Sequence, residues 1–310
     1  MVLLGDIGER QLIADFRSFI RPEGIVGPGD DAAVLNRDVV VTTDMVTFDR
    51  HFAAGMTYEQ FGWYSAAVSF SDLAAMGARP TGFLAALALP ANLDSQAAYD
   101  IMSGIDQCAE FCGTGIVGGD TKTGPGIVAG TALGSMDGRR PMLRSGARPG
   151  DVVAVTGPLG SPAAAFKAME YGIEAEDAKD LLYMPIPRVV EGMSMASTGA
   201  VTSCMDLSDG LGTALNTICS ASGVGIDVEL DFIPRGPCVE DVAAQTDTPV
   251  EDLLLNWGGE YELLFTVGKD DLDKLYKAEV EFAIIGMVND GDRPELTDDG
   301  DRRPIGYGDY

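Results

Sequence analysis

Ser71-Asp72-Leu73-Ala74-Ala75-Met76-Gly77-Ala78 is the stretch whose reading decides the fold. It closes a segment that opens at Thr57, where Thr57-x-x-Gln60 has the form of a capping box: hydroxyl and amide each answer a free backbone N–H of the first turn. The helix so started runs through Trp63 and Val68 to Met76, and Gly77 with Pro80 beyond it ends it. At 3.6 residues per turn, Phe61, Ser65, Val68, Asp72 and Met76 share one face. A carboxylate among apolar neighbours is costly unless a cation or hydrogen bonds compensate it, so Asp72 marks function rather than solvation.

Asp72 belongs to one of five acidic islands. The others are Gly29-Asp30-Asp31-Ala32, Thr42-Thr43-Asp44, Gly118-Gly119-Asp120-Thr121 and Asp206-Leu207-Ser208-Asp209-Gly210. Each sets Asp beside Gly, Ser or Thr next to an expected strand or helix end. Carboxylate oxygens with hydroxyls close by are hard ligands, suited to Mg²⁺ and the phosphates it carries. One such island is more often a turn; their recurrence makes a Mg-nucleotide site the better reading.

The flanking pattern is mixed α/β. A strand over 39–43 ends at Asp44, a buried strand covers 81–89, a helix covers 94–112, a strand over 115–117 delivers Asp120, and another strand covers 127–134. The Gly- and Pro-rich run from Arg144 to Asp151 marks a boundary near residue 148, giving domains 1–147 and 148–310. The second half reads as strands over 152–156, 225–232, 261–267 and 282–288. Its helices are one capped by Ser161 with Pro162 at N1 and ending at Gly172, one over 187–197, and one capped by Ser208 with the stripe Leu211, Leu215, Ile218.

Composition narrows the function. At 310 residues the chain is long enough for two cores, and its hydrophobic content is 46%. No apolar run reaches the ~20 residues that span a bilayer, and no basic signal-peptide flank opens the chain, so a cytoplasmic protein without a membrane partner is expected. The net charge of −27 disfavours nucleic acid and anionic lipid. Most of the 48 acids, Asp298-Asp299-Gly300-Asp301 among them, read as an acidic surface, since one site needs few. Of the five cysteines none forms a CxxC pair; Cys108 and Cys112 continue the helical face of Ala97, Ile101 and Ile105 and read as core thiols. His51, the only histidine, excludes a readily built Ser-His-Asp arrangement and makes zinc unattractive, but its place just after the Asp44 strand makes it a candidate lining residue. There is no GxxxxGK[ST]. The GxGxxG match from Gly113 to Gly118 follows a helix and leads into a strand, the reverse of the dinucleotide-binding context.

In order and spacing the islands resemble the thiamine-monophosphate kinase family, of the PurM-like superfamily that also holds aminoimidazole ribonucleotide synthetase, selenophosphate synthetase and HypE. The resemblance runs from Gly8-Glu9 and Leu12-Ile13 through the first two islands, His51-Phe52, and the Ser71–Ala78 block. It continues through Gly118–Thr121, Arg144-Ser145-Gly146-Ala147, Asp206–Leu211, Gly258-Gly259-Glu260-Tyr261-Glu262-Leu263-Leu264 and Gly306-Tyr307. It implies a two-domain α/β and α+β PurM-like fold, with an N-terminal ATP/Mg domain whose sheet pairs with that of a second subunit in a homodimer, and a C-terminal α+β domain. It implies ATP-dependent phosphorylation of thiamine monophosphate to thiamine diphosphate. Family-matched metal positions are Asp31, Thr42, Thr43, Asp44, Asp72, Asp120, Asp206 and Asp209; nucleotide positions are Gly119, Asp120, Arg144 and Ser208; acceptor positions are His51, Glu260 and Tyr307. The chain departs from the family pattern at Ser69, where Asn is common, at Tyr64, where Lys is frequent, at Phe48 and Asp49, at Gly259-Glu260-Tyr261, which lacks one acid, and in its ending Gly306-Tyr307-Gly308-Asp309-Tyr310.

The implied chemistry suits a chain with one histidine. The acceptor phosphate already carries an anionic oxygen, so no catalytic base is assigned, and rate rests on alignment and charge neutralisation. Two unit charges ~4 Å apart repel by roughly 4 kcal/mol at an effective dielectric of ~20, and several Mg²⁺ ions offset this. Two rival readings stand beside it. One is a sister PurM-like ATP-dependent enzyme with another acceptor; the other is a non-catalytic acidic cation-binding protein, which predicts metal binding without phosphate transfer.

Overall fold

Tyr58–Met76 forms one unbroken helix because both of its ends are fixed locally. Thr57 Oγ1 accepts the Gln60 N–H at 3.1 Å while Gln60 Oε1 accepts the Thr57 N–H at 2.9 Å. At the other end Gly77 takes φ 72, the left-handed turn that closes a helix with least strain in glycine. The structure, a computed structural model, describes residues 9–20 and 26–308. Gly8, which opens the family resemblance, and Asp309-Tyr310, which end the chain, lie outside the described residues.

In chain order the first half carries α1 (Glu9–Phe19), β1 (Ala33–Leu35), β2 (Val39–Thr47), a helical turn Phe48–His51, α2 (Tyr58–Met76), β3 (Arg79–Leu89), α3 (Ser95–Phe111), β4 (Ile116–Thr123) and β5 (Ile127–Ser135). The second half carries β6 (Asp151–Val155), α4 (Ser161–Tyr171), α5 (Glu176–Tyr183), α6 (Val189–Thr198), β7 (Val201–Asp206), α7 (Leu211–Ser222) and β8 (Gly225–Glu229). It ends with α8 (Val239–Thr246), α9 (Val250–Leu255), β9 (Leu263–Gly268), α10 (Leu272–Lys277), β10 (Ala283–Asn289), β11 (Pro294–Asp298) and β12 (Asp301–Pro304). Each half builds its own mixed sheet. The first has order β1-β2-β5-β3-β4, the second β12-β11-β8-β10-β6-β9-β7. Among the described residues, only β3–β4 in the first sheet and β8–β11 in the second pair in parallel as strands.

Several expectations shift by a few residues, each for a physical reason. β2 does not stop at Asp44: its ladder with β5 continues to Thr47 opposite Ile127, so Asp44 sits inside a strand. β4 likewise contains Asp120 rather than ending before it. Neither Ser161 nor Ser208 is an N-cap. Gly160 (φ 87) and Gly210 (φ 84) take those positions with a backbone that glycine adopts most easily, and the Ser161 hydroxyl donates instead to the Pro237 carbonyl at 3.1 Å. The short elements α5, α8, α9, β11 and β12 carried too little periodic signal to be read in advance.

α2 is apolar nearly all round because it is buried nearly all round, the arrangement expected of a central helix. One flank lies on β2 and β5 of the first sheet, another on α3, and a third meets β7 and α6 of the second half. One apolar core therefore joins Phe61, Phe70, Leu73 and Phe83 to Cys204, Leu263, Phe265 and Val267 across the chain midpoint. A second core, around Val155, Leu207, Leu215 and Ile285, lies in the second half with Ala147 at its boundary. Cys108 and Cys112 are buried free thiols, in keeping with the helical face on which they were placed.

α2 and α3 cross backbone to backbone. A methyl group on Gly104 would overlap the Glu59 carbonyl, and one on Gly62 would overlap that of Ile101. Gly104→Ala is expected to destabilise the protein by about 1–3 kcal/mol through overpacking, despite the better helix propensity of alanine, and thermal denaturation reads the loss.

Candidate active site

The β2 face that meets α2 presents Thr42, Asp44 and Val46, since strand side chains alternate. α2 contributes Ser69, Ser71 and Asp72; β7 ends at Asp206; the loop before β1 supplies Asp30 and Asp31. Carboxylate oxygens of Asp31, Asp72 and Asp206 lie within 4.8 Å of one another. Residues far apart in sequence thus converge at the contact between the two halves.

Each acid has a particular partner. The Arg144 guanidinium donates to Asp31 Oδ1 through Nη2 at 2.6 Å and Nε at 3.1 Å, and its backbone N–H donates to Asp30 Oδ1 at 2.9 Å. Thr42 Oγ1 donates to Asp72 Oδ2. Ser69 Oγ donates to Asp44 Oδ2 at 2.8 Å, and Ser71 Oγ to Asp206 Oδ2 at 2.6 Å. Two oxygens keep no partner although buried: Asp31 Oδ2 and Asp206 Oδ1. A buried acceptor left unsatisfied is expensive, and here two such acceptors stand in one cluster of hard oxygen ligands. The donor set therefore fits Mg²⁺.

The electrostatics agree. Burial raises the Asp72 carboxyl well above its ordinary range, and the charges of Asp44, Asp206 and Asp31 add to it. Asp206 is pushed up to about 7 by burial and then by Asp31, against the Ser71 bond and Arg144. Asp31 and Asp44 are raised by burial as well, opposed chiefly by Arg144 and by Ser69 respectively. Burial works against the Arg144 charge, but Asp31 and then Asp206 and Asp72 hold its pKa above the usual arginine value.

A cavity of about 130 Å³ opens beside the cluster, lined by Asp44, Met45, His51, Tyr64, Asp72, Asp206, Ser208 and Tyr261, among others. His51 is half-buried; burial lowers its pKa, and its Nδ1 accepts the Thr47 N–H at 3.1 Å. The residues named from the sequence separate here. Asp31, Thr42, Asp44, Asp72, Asp206 and Arg144 come together, with His51 and Ser208 on the cavity wall. Thr43 points to the opposite face of the sheet, where its hydroxyl donates to the Gly130 carbonyl at 2.9 Å and meets Thr131 Oγ1 at 3.0 Å. Asp209 is exposed on the β7–α7 loop.

Gly119 and Asp120 lie on β4, the exposed edge of the first sheet, where Lys122 pairs with Asp120 at 3.1 Å and lowers its pKa. Glu260 turns into a second cleft, walled by Pro158, Pro162, Pro185 and Ile186, and accepts the Gly160 N–H at 3.1 Å. Tyr307 lies in the C-terminal segment, where Asn216 Nδ2 donates to the Gly306 carbonyl at 3.1 Å and Thr213 Oγ1 accepts the Gly308 N–H at 3.1 Å. Sequence reasoning passed over Ser71, which holds Asp206, and Tyr64 and Tyr261, which line the cavity. The available signal was a run of hydroxyl residues inside an otherwise apolar helix, Ser65, Ser69 and Ser71.

Residues 29–136 match the family AIR synthase related protein, N-terminal domain, and residues 148–299 match its C-terminal domain. The thiamine-monophosphate kinase of Methanopyrus kandleri is 37% identical over 265 residues, covering 85% of this chain and 83% of that protein. That of Halobacterium salinarum is 36% identical over 282 residues, covering 88% of this chain and 93% of that protein. The solved structure of AaThiL complexed with AMPPCP and TMP matches with a TM-score of 0.87 at 25% identity, over 100% of this chain and 99% of that one. With similarity spread over both halves, the two-domain PurM-like fold has an assigned lineage: the chain belongs to the thiamine-monophosphate kinase family.

Proposed function

We propose that this chain, as domains 1–147 and 148–310, transfers the γ-phosphoryl group of ATP to thiamine monophosphate, in line and without a covalent enzyme intermediate. The observation that carries this reading is the cluster of Asp31, Asp72 and Asp206 with two unsatisfied buried oxygens, set beside a cavity whose only imidazole already accepts a backbone N–H. Asp31, Asp44, Asp72 and Asp206, with Thr42, would hold Mg²⁺. Bound there, Mg²⁺ supplies the positive charge that lets two phosphate groups approach. Arg144 would offer the nucleotide phosphates the N–H groups that it does not spend on Asp31, and Ser208 its hydroxyl, while His51 lines the acceptor side. Glu260 and Tyr307 bound neighbouring surfaces that suit the rest of the acceptor. Thr43 and Asp209 enter as outlying members of the metal set. The reading is supported by the family membership.

A homodimer belongs to the same proposal. The outer face of the first sheet carries Val41, Met45, Ala129 and Leu133, with Met45 62% exposed, and this apolar face invites a second copy. Gly119 and Asp120, on the adjoining edge strand, would lie within or beside the surface so covered. Cytoplasmic localisation is part of the reading. Among the described residues no helix is long and apolar enough to cross a membrane.

The direct test supplies ATP and Mg²⁺ with thiamine monophosphate or with unphosphorylated thiamine. Diphosphate formed only from the monophosphate is the expected result; no diphosphate at all points to a sister enzyme. Asp72→Asn should cut turnover by about a hundredfold or more while raising the melting temperature of chelator-treated protein, because a repelling charge is removed. The same variant should lose the Mg²⁺-dependent rise in melting temperature seen in wild type.

Glu260 gives a pH signature. Burial raises its carboxyl from 4.5 to about 8, so the folded chain holds a proton that the unfolded chain releases. Stability associated with that proton is intact below about pH 4.5 and falls as the pH rises to about 8, by on the order of a few kcal/mol. Glu260→Gln should flatten this fall in denaturant titrations across the same window. Finally, Ala129→Glu, at the centre of the outer sheet face, should give a monomer by light scattering.

A further inference from the structure

One wall of the cavity beside the carboxylates takes no part in the assignments above. Tyr64 on α2 and Tyr261 in the segment entering β9 share a hydroxyl–hydroxyl hydrogen bond of 2.9 Å, with their rings edge to face and centroids 6.0 Å apart. Both line the cavity together with Asp44, Asp72 and Asp206. Two phenols bring two O–H groups, and the bond between them uses one. Among the described residues no acceptor takes the other. A donor without an acceptor in buried surroundings is costly in the free protein and available to a ligand.

The backbone at Tyr261 carries a second sign of function. Its φ is 54, a left-handed conformation uncommon for a bulky aromatic residue. The surroundings hold it there. The Tyr261 N–H donates to the Leu207 carbonyl at 3.2 Å, and the next residue, Glu262, is fixed by Arg188 Nε at 2.8 Å and Thr156 Oγ1 at 2.6 Å. This kink sends Glu260 into the second cleft and Glu262 to Arg188, and leaves Tyr261 alone facing the carboxylates. At about 130 Å³ the cavity is smaller than the ~300–1,000 Å³ of a site enclosing a whole small ligand, so it suits one end of a ligand. A carboxylate cluster that fits Mg²⁺ on one side and a phenol pair with one uncommitted O–H on the other describe a place for a phosphate.

We propose that the Tyr64–Tyr261 pair anchors the acceptor phosphate: its free O–H donates to a non-attacking phosphate oxygen of thiamine monophosphate and holds that group against the carboxylate cluster. This assignment rests on the kinase reading above. A hydrogen bond to a charged oxygen is among the stronger kinds, and one donor comes from each half of the chain, so the anchor exists only where the halves meet.

The test uses the full-length protein with Tyr64→Phe, Tyr261→Phe and the double variant, each of which keeps the rings and removes O–H groups. In the double variant KM for thiamine monophosphate, and its Kd measured by calorimetry without ATP, should rise about tenfold or more, with KM for ATP within twofold of wild type. Binding of unphosphorylated thiamine should change less than twofold, since it lacks the anchored group. An unchanged KM for the monophosphate overturns the proposal, as does an equal rise in KM for ATP. If the double variant does not fold, the same comparison in the single variants decides, with a severalfold rise required in at least one of them. A wild-type protein that makes no diphosphate from the monophosphate sinks the kinase reading and this anchor with it; a wild type that does, beside unaffected variants, sinks the anchor alone.

Discussion

Carboxylates that share a buried site repel one another, and the rest of this structure is organised around that repulsion. Asp31, Asp44, Asp72 and Asp206 are brought from a loop, a strand, a helix and a strand end, and each is met by a donor already in place: Arg144, Ser69, Thr42 and Ser71. Side-chain hydroxyls can satisfy an oxygen without adding charge, but they leave the summed negative charge standing. Only added positive charge, a bound cation or a proton, lowers that, and one guanidinium does not balance four acids. Burial raises the carboxyl pKa values for the same reason that it makes the site receptive to metal: in both cases positive charge is drawn into a place where water cannot screen the anions.

The parts of the fold that were legible in the sequence are those with local causes. The start and stop of the central helix follow from Thr57, Gln60 and Gly77, all within one turn of the ends they fix. The polar character of Asp72 on an apolar face was likewise visible from spacing. What stayed hidden was pairing at long range. Arg144 reaches Asp31 across 113 residues, Ser71 reaches Asp206 across 135, and Tyr64 reaches Tyr261 across 197. No periodicity records such contacts, because they arise from how sheets and helices pack and not from the preference of any segment. The N-caps illustrate the same limit on a smaller scale: Ser161 and Ser208 have the right chemistry, yet the neighbouring glycines accept a backbone turn that serine resists. For the site, the resemblance pointed to the acids, while the assignment of Thr43 met the strict alternation of a strand, which turns its side chain away from Asp44.

The acidic balance of the chain separates into two populations. A few aspartates are buried at the meeting of the halves. Many others stand on the surface, where some have basic partners, such as Asp137 with Arg79 and Asp227 with Arg302. Surface pairs of this kind contribute little to stability, whereas an unpaired buried oxygen sets the chemistry of its surroundings. Net charge therefore describes the solvent-facing character of the protein and says little about its site.

The apolar core that runs from α2 into β7 and β9 has a consequence for the chain as a physical object. Two domains can be drawn on the sequence, and two sheets can be counted, but Phe61 and Phe265 belong to one body of packed side chains. Parting the halves would bare the buried flank of α2 and the facing residues of β9 together, so neither half has a complete interior of its own on that side. Opening the contact between the halves therefore carries the cost of exposing both sides of that core at once. A linker sequence marks where the backbone changes sheets, and the packed side chains run straight across that mark.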